Sequence, residues 1–184
     1  MPIVLRRAFV AAALAWAALL VAVPFIASRA HATSAGTVVV VAVYGIGSLV
    51  CHQLPARSWR LWTAQMPVCA RCAGIYAGAA IAALLAVILR SPERLALPVP
   101  RIRDMFGSRR QAREPFRRAI DREPFSRAAA RVLLSLAALP SLATLVYEWT
   151  TGVMPSNALR FAAGVPIGVA VAWLIVSAAE DQVN

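Results

Sequence analysis

The sequence predicts an all-α protein, a polytopic bundle of about five transmembrane helices. Of its 184 residues, 60% are hydrophobic, which exceeds the roughly 45–50% that is typical of soluble domains. These residues are concentrated in long Ala, Val, Leu and Ile blocks that short polar stretches separate. Blocks of this kind approach the roughly 20 apolar residues that one helix needs to cross a bilayer. We therefore expect a multi-pass protein of the cell membrane whose main contact is the lipid bilayer.

The predicted helices divide the chain into four regions. The helices cover residues 8–27, 36–51, 73–89, 132–149 and 161–179. The regions are an N-terminal transmembrane helix (1–35), a Cys/His motif region with two helices (36–89), an Arg- and Pro-rich loop (90–131) and two C-terminal helices (132–184). The first helix resembles a signal peptide, but it exceeds the roughly 7–15 apolar residues of such signals. We expect it to stay uncleaved; cleavage would leave four helices.

All 19 basic residues are arginine, and the net charge is +11. Twelve arginines lie in residues 90–131, between hydrophobic segments, where topology and anionic lipid headgroups explain them better than nucleic-acid binding does. Five spans place thirteen arginines on the face of that loop and six on the other, which predicts a cytoplasmic loop. The same arrangement leaves Arg6 and Arg7 outside, against the rule. In either orientation, residues 52–71 and 150–160 share one face.

The three cysteines of the chain lie within 22 residues, beside a histidine. Two thiols spaced as Cys-x-x-Cys lie on a tight turn, and zinc prefers four soft or borderline ligands in a tetrahedron. Cys51, His52, Cys69 and Cys72 are therefore predicted to bind a metal ion, with zinc as the expected cofactor. Two alternatives remain open: a Cys69–Cys72 disulfide if the loop faces an oxidising compartment, and cysteines that are merely apolar residues.

Polar residues at the membrane edges form a second candidate site. Arg57, Ser58, Asn157 and Arg160 are predicted to bind a ligand, because arginine suits bidentate recognition of phosphate or carboxylate. Glu148 is expected to pair with Arg160, and it is the candidate general base if the metal is catalytic. The alternative is that these arginines only extend to the interface and bind no ligand.

The segments CHQLPARS at residues 51–58 and PVCARCAGIYAG at residues 67–78 carry a family resemblance. They resemble the predicted membrane proteins called domain of unknown function 2085, in which a Cys-His-Gln or Cys-His-Arg start precedes a Cys-Ala-Arg-Cys-Thr-Gly-Ile-Tyr block entering a helix. A third block of that family is similar to Ser156, Asn157, Arg160, Gly164 and Gly168 here. The resemblance covers roughly residues 45–90 and 135–175. It implies a membrane protein with these motifs as its site, and it implies no reaction.

The sequence therefore predicts an integral membrane protein of unknown activity with a Cys/His zinc site at one face. A small transporter or anionic-ligand-binding protein is the first alternative, and a thiol–disulfide membrane protein is the second. Whether the protein is an enzyme, forms a homo-oligomer or has another membrane partner stays open.

Overall fold

The computed structural model describes residues 2–29, 34–90 and 127–181. Within these residues the helices are α1 (Pro2–Ala27), α2 (Ser34–Val50), α3 (Ala70–Arg90), α4 (Arg127–Thr151) and α5 (Asn157–Asp181). The prediction of an all-α membrane bundle of about five helices is confirmed. Most of the loop predicted at residues 90–131 lies outside the described residues, and the last five residues of that segment begin α4.

Four of the described helices are long and apolar enough to cross a membrane: Val4–Ala27, Ala70–Ile88, Ala128–Thr151 and Asn157–Ala178. Many of their large apolar side chains are exposed on the protein surface, and a bilayer would cover them. Each of α1, α4 and α5 contains an internal proline. Such prolines are tolerated in membrane helices, where neighbouring helices and local adjustments satisfy the freed carbonyl groups.

Helices α3 and α5 are in the closest contact, and they run parallel from a shared face. Gly74 and Gly78 of α3 lie against the backbone of Phe161 and Val165, and Gly164 and Gly168 of α5 lie against Arg71 and Ile75. A side chain at any of the four glycines would overlap a backbone carbonyl oxygen of the facing helix. The pairs spaced four apart therefore serve the close helix packing that small residues allow in membranes.

Helix α1 runs antiparallel to α3. The ring of Trp16 contacts Tyr76 edge-on, with centroids 5.9 Å apart. Nine residues further along α1, Phe25 contacts Trp62 in the α2–α3 loop, with centroids 5.3 Å apart. The C-terminal end of α1 therefore lies at the face where α3 begins.

Helix α2 begins and ends near that same face. It starts at Ser34, shortly after α1 ends at Ala27, and it is followed by Cys51, which packs with Leu20 of α1. Its 17 residues give a length of only about 25 Å at 1.5 Å per residue. The sequence predicts that this helix crosses the membrane, whereas in the structure the end of α1 before it and Cys51 after it lie at one face.

Four crossings, by α1, α3, α4 and α5, would remove the conflict in charge distribution. Counted along the chain, Arg6 and Arg7 then fall on the same side as the twelve arginines of residues 90–131, which makes fourteen. The opposite face holds the other five: Arg29, Arg57, Arg60, Arg71 and Arg160. The positive-inside rule then predicts that both termini and the Arg-rich segment are cytoplasmic. The face that carries the cysteine motifs is predicted to be extracytoplasmic.

Candidate metal centre and arginine cluster

The loop between α2 and α3 contains a small hairpin that rests on α1. Strand β1 (Arg60–Leu61) pairs antiparallel with β2 (Ala64–Gln65). The two residues at its tip, Trp62 and Thr63, have φ values of 52° and 89°, a left-handed conformation that is uncommon for residues other than glycine. The contact between Trp62 and Phe25 holds this tip against the end of α1.

Gln53 ties the end of α2 to the segment that precedes α3. Its backbone is left-handed, with φ of 50°, and its side-chain nitrogen donates to the carbonyl oxygens of Tyr44 (2.8 Å) and Pro67 (2.7 Å). The Gln65 side chain donates in turn to the Gln53 carbonyl at 2.6 Å. Gln53 belongs to the CHQ motif, but the motif alone predicts no role for it. Its position beside Cys51 was the one sequence feature that pointed to a role at the site. Its hydrogen-bond partners depend on the fold and could not be predicted from the sequence.

The three cysteines form one compact group. The sulfur atoms of Cys51, Cys69 and Cys72 all lie within 4.8 Å of one another, and the backbone N–H of Cys69 donates to the Cys51 sulfur at 3.1 Å. Sulfurs that bind one zinc ion in a tetrahedron lie about 3.8 Å apart, given Zn–S bonds of about 2.3 Å. The group could therefore hold a metal ion after small movements of its side chains.

The surroundings of Cys69 favour a thiolate. Cys69 and Cys72 lie at the N-terminus of α3, where the Ala73 N–H donates to the Cys69 carbonyl at 2.9 Å. The N-terminal end of a helix carries partial positive charge and stabilises a nearby thiolate. A side-chain hydrogen bond with Cys72 lowers the pKa of Cys69 to about 5. Metal binding requires deprotonated thiols, and Cys69 is the member of the group whose surroundings favour that form.

The predicted fourth ligand, His52, is placed outside this group. Its side chain is exposed, and within the described part of the chain the group contains cysteines alone. Neighbouring side chains diverge from the backbone, and here Cys51 turns towards α1 while His52 faces outwards. The structure therefore brings together three of the four predicted metal ligands.

The polar residues predicted at the membrane edges come together in a second cluster. Arg57 donates to Glu148 Oε1 at 2.6 Å, and Arg160 donates to Glu148 Oε2 at 3.1 Å. The expected pairing of Glu148 with Arg160 is confirmed. The Asn157 side chain donates to the Ser58 backbone carbonyl at 3.4 Å. These contacts also confirm that the α2–α3 and α4–α5 loops share one face.

Two members of this region make contacts that the sequence did not predict. The hydroxyl of Ser58 donates to the Leu54 carbonyl at 3.1 Å, so that hydrogen bond is local to the loop. Arg71, quoted only as part of its motif, donates to the Thr144 hydroxyl of α4 at 2.8 Å. The first turn of α3 therefore contributes to both clusters, with Arg71 directed at α4 and the cysteines packed with residues of α1.

Replacing Gln53 by alanine is expected to lower both thermal stability and the order of the cysteine group. The substitution removes the donor shared by the carbonyls of Tyr44 and Pro67, and an unpaired buried polar group costs about 1–3 kcal/mol. The measurement is thermal unfolding of the detergent-purified protein. The neighbouring exposed residue provides the control, since His52→Ala should leave the transition unchanged. Equal unfolding temperatures for Gln53→Ala and His52→Ala would contradict this role of Gln53.

Comparison with known proteins supports the assignment to a membrane-protein class. A family model described as predicted membrane protein (DUF2085) matches residues 51–103, a stretch that contains all three cysteines and α3. This finding confirms the resemblance noted from the cysteine motifs. The match covers the candidate metal centre and does not extend to α4 or α5.

An uncharacterized protein of Methanocaldococcus jannaschii is 29% identical over 75 residues. The aligned stretch covers 41% of this chain and 48% of the archaeal protein, so the match spans about half the length of that relative. No solved structure matches the chain. These similarities support a membrane protein that carries the cysteine motifs, and they name no activity.

Proposed function

We propose that this membrane protein binds one zinc ion through Cys51, Cys69 and Cys72 at one membrane face. The observation that supports the proposal most directly is the approach of three sulfurs to within 4.8 Å of one another from two separate segments. The segments are the end of α2 and the start of α3, which Gln53 ties together. A fold that assembles thiols from both segments favours a shared ligand over three independent apolar residues.

The ligand set indicates which kind of metal site this is. Thiolates are soft ligands that select zinc, copper(I) or iron–sulfur clusters. Structural zinc sites have four protein ligands, whereas three protein ligands leave a position for water or another molecule. Three thiolates with His52 turned away therefore favour zinc with one open position. Both oxygens of Glu148 already accept hydrogen bonds from arginines, so the geometry supports metal binding and gives little support to Glu148 as a base.

Elemental analysis of detergent-purified protein tests this proposal. We expect about one zinc ion per chain in the unsubstituted protein, and a large loss in Cys51→Ser and in Cys72→Ser, because each removes one of three ligands. His52→Ala is the matched control and should retain the metal. If the unsubstituted protein contains zinc and His52→Ala loses it to the same extent as the cysteine variants, the site has the four ligands predicted from the sequence.

Thiol titration under denaturing conditions with a chelator separates the zinc site from the thiol–disulfide alternative. A zinc-binding protein should show three free thiols before any reductant is added. One free thiol before reduction and three after it, in protein that lacks zinc, would overturn the proposal and establish a disulfide. Cys69 and Cys72 would be the paired cysteines, since they form the Cys-x-x-Cys motif at the start of α3.

A further inference from the structure

The arginine cluster, formed by Arg57, Arg71, Arg160 and Glu148, contains three positive side chains and one negative side chain. Arg57 and Arg160 share the single carboxylate of Glu148, and Arg71 bonds to the neutral Thr144 hydroxyl. Among the described residues, Glu148 is the acid that contacts these guanidinium groups. Charges at the edge of a membrane are costly unless they are paired, and they mark sites for ions or ligands.

The guanidinium groups also retain unused donors. Arg57 Nε, Arg71 Nε and Arg160 Nη1 are buried and have no hydrogen-bond partner among the described residues. Arg160 itself is only 2% exposed. Buried donors of this kind are rare in folded proteins, and each one calls for an explanation such as a bound ion or water.

We propose that Arg57, Arg160 and the adjacent Arg71 form a binding site for a phosphate or carboxylate group. The planar guanidinium presents several donors that match the oxygens of either group. The Arg57 side chain is 37% exposed, so it offers a route from the membrane face to the buried Arg160. The anion comes either from a free solute or from a lipid headgroup, since both present the same kind of oxygen atoms to the guanidinium groups.

The proposed anion site is separate from the thiol group. The cysteines pack with Leu20 of α1 and with Met66 and Val68 of the α2–α3 loop, whereas Arg71 and Arg160 are directed at α4. Substitution of a cysteine should therefore remove zinc and leave anion binding intact. Substitution of the arginines should weaken anion binding and leave zinc bound.

Glu148 acts as an internal counter-ion in this site. Its carboxylate occupies one donor of Arg57 and one donor of Arg160, and it repels an incoming anion. Glu148→Gln keeps the size of the side chain and removes its charge. This variant is expected to bind anions more tightly, whereas a purely structural ion pair would lose stability without any gain in anion affinity.

The test uses the full chain in lipid nanodiscs and follows thermal unfolding, because a bound ligand stabilises the folded state. In neutral phosphatidylcholine discs, inorganic phosphate or acetate should raise the transition temperature in a saturable manner if the ligand is a free anion. Discs that contain phosphatidylglycerol should raise it without added phosphate if the ligand is a lipid headgroup. Either response supports the site and identifies the source.

The variants assign the response to the arginine cluster. Arg57→Gln should weaken the response about 10-fold, consistent with the loss of one charge-assisted contact. Arg60→Gln is the matched control, because Arg60 is exposed on β1 of the same loop and its loss removes the same charge. Glu148→Gln should strengthen the response. The absence of any saturable response in the unsubstituted protein, or equal weakening by Arg57→Gln and Arg60→Gln, would overturn the proposal.

Discussion

Replacing Gly168 by leucine is expected to abolish accumulation of folded protein in the membrane. A Cβ at this position would overlap the Ile75 carbonyl oxygen, and it would also lie 2.8 Å from the Ala79 nitrogen. These are backbone atoms of α3, which cannot move aside as a flexible side chain can. Overpacking a well-packed core costs typically 1–3 kcal/mol even where side chains give way, so separation of the two helices should cost more.

A second glycine provides the control for this substitution. Gly45 lies on α2, and a Cβ there would meet nothing within 4 Å, so Gly45→Leu should leave the amount of folded protein nearly unchanged. The measurement is the yield of monodisperse protein after extraction and size-exclusion chromatography in detergent. Normal yield of Gly168→Leu would show that α3 and α5 do not pack through these glycines.

The second large effect concerns which side of the membrane each segment faces. Epitope tags at the N-terminus and at the C-terminus should both be cytoplasmic, and tags inserted after Arg29 and after Val153 should both be outside. The physical reason is the antiparallel packing of α1 on α3, with Trp16 against Tyr76. With four crossings, fourteen of the 19 arginines fall on one side when they are counted along the chain, in agreement with the positive-inside rule.

Protease protection in sealed vesicles and in whole cells shows on which side of the membrane each of the four tags lies. A membrane-crossing α2 predicts a different pattern, in which the tag after Arg29 lies on the cytoplasmic side and the N-terminus lies outside. That result would restore five crossings and separate α1 from the contacts with Trp62 and Tyr76. The tag after Val153 and the C-terminal tag lie on opposite sides in both cases, so they serve as internal controls.

The sequence alone determined the class of this protein and the position of its helices. Apolar segments of about 20 residues have few alternatives to a membrane helix, so the fold class followed from composition and spacing. Glycines four apart in the sequence are typical of close packing faces between membrane helices, and the structure pairs them across α3 and α5. The cysteine motifs were equally visible, because their residue types and short spacing do not depend on how distant segments meet.

Only the tertiary structure decided which side chains share a site and which helices cross. Hydrophobicity shows that α2 is apolar, but the structure places the end of α1 before it and Cys51 after it at one face. His52 and Cys51 are adjacent in sequence and diverge in space, whereas Arg57 and Glu148 are 91 residues apart and form an ion pair. Spacing along a chain predicts proximity within one turn or helix. Contacts between distant segments depend on how whole helices pack, and a local pattern carries no information about that packing.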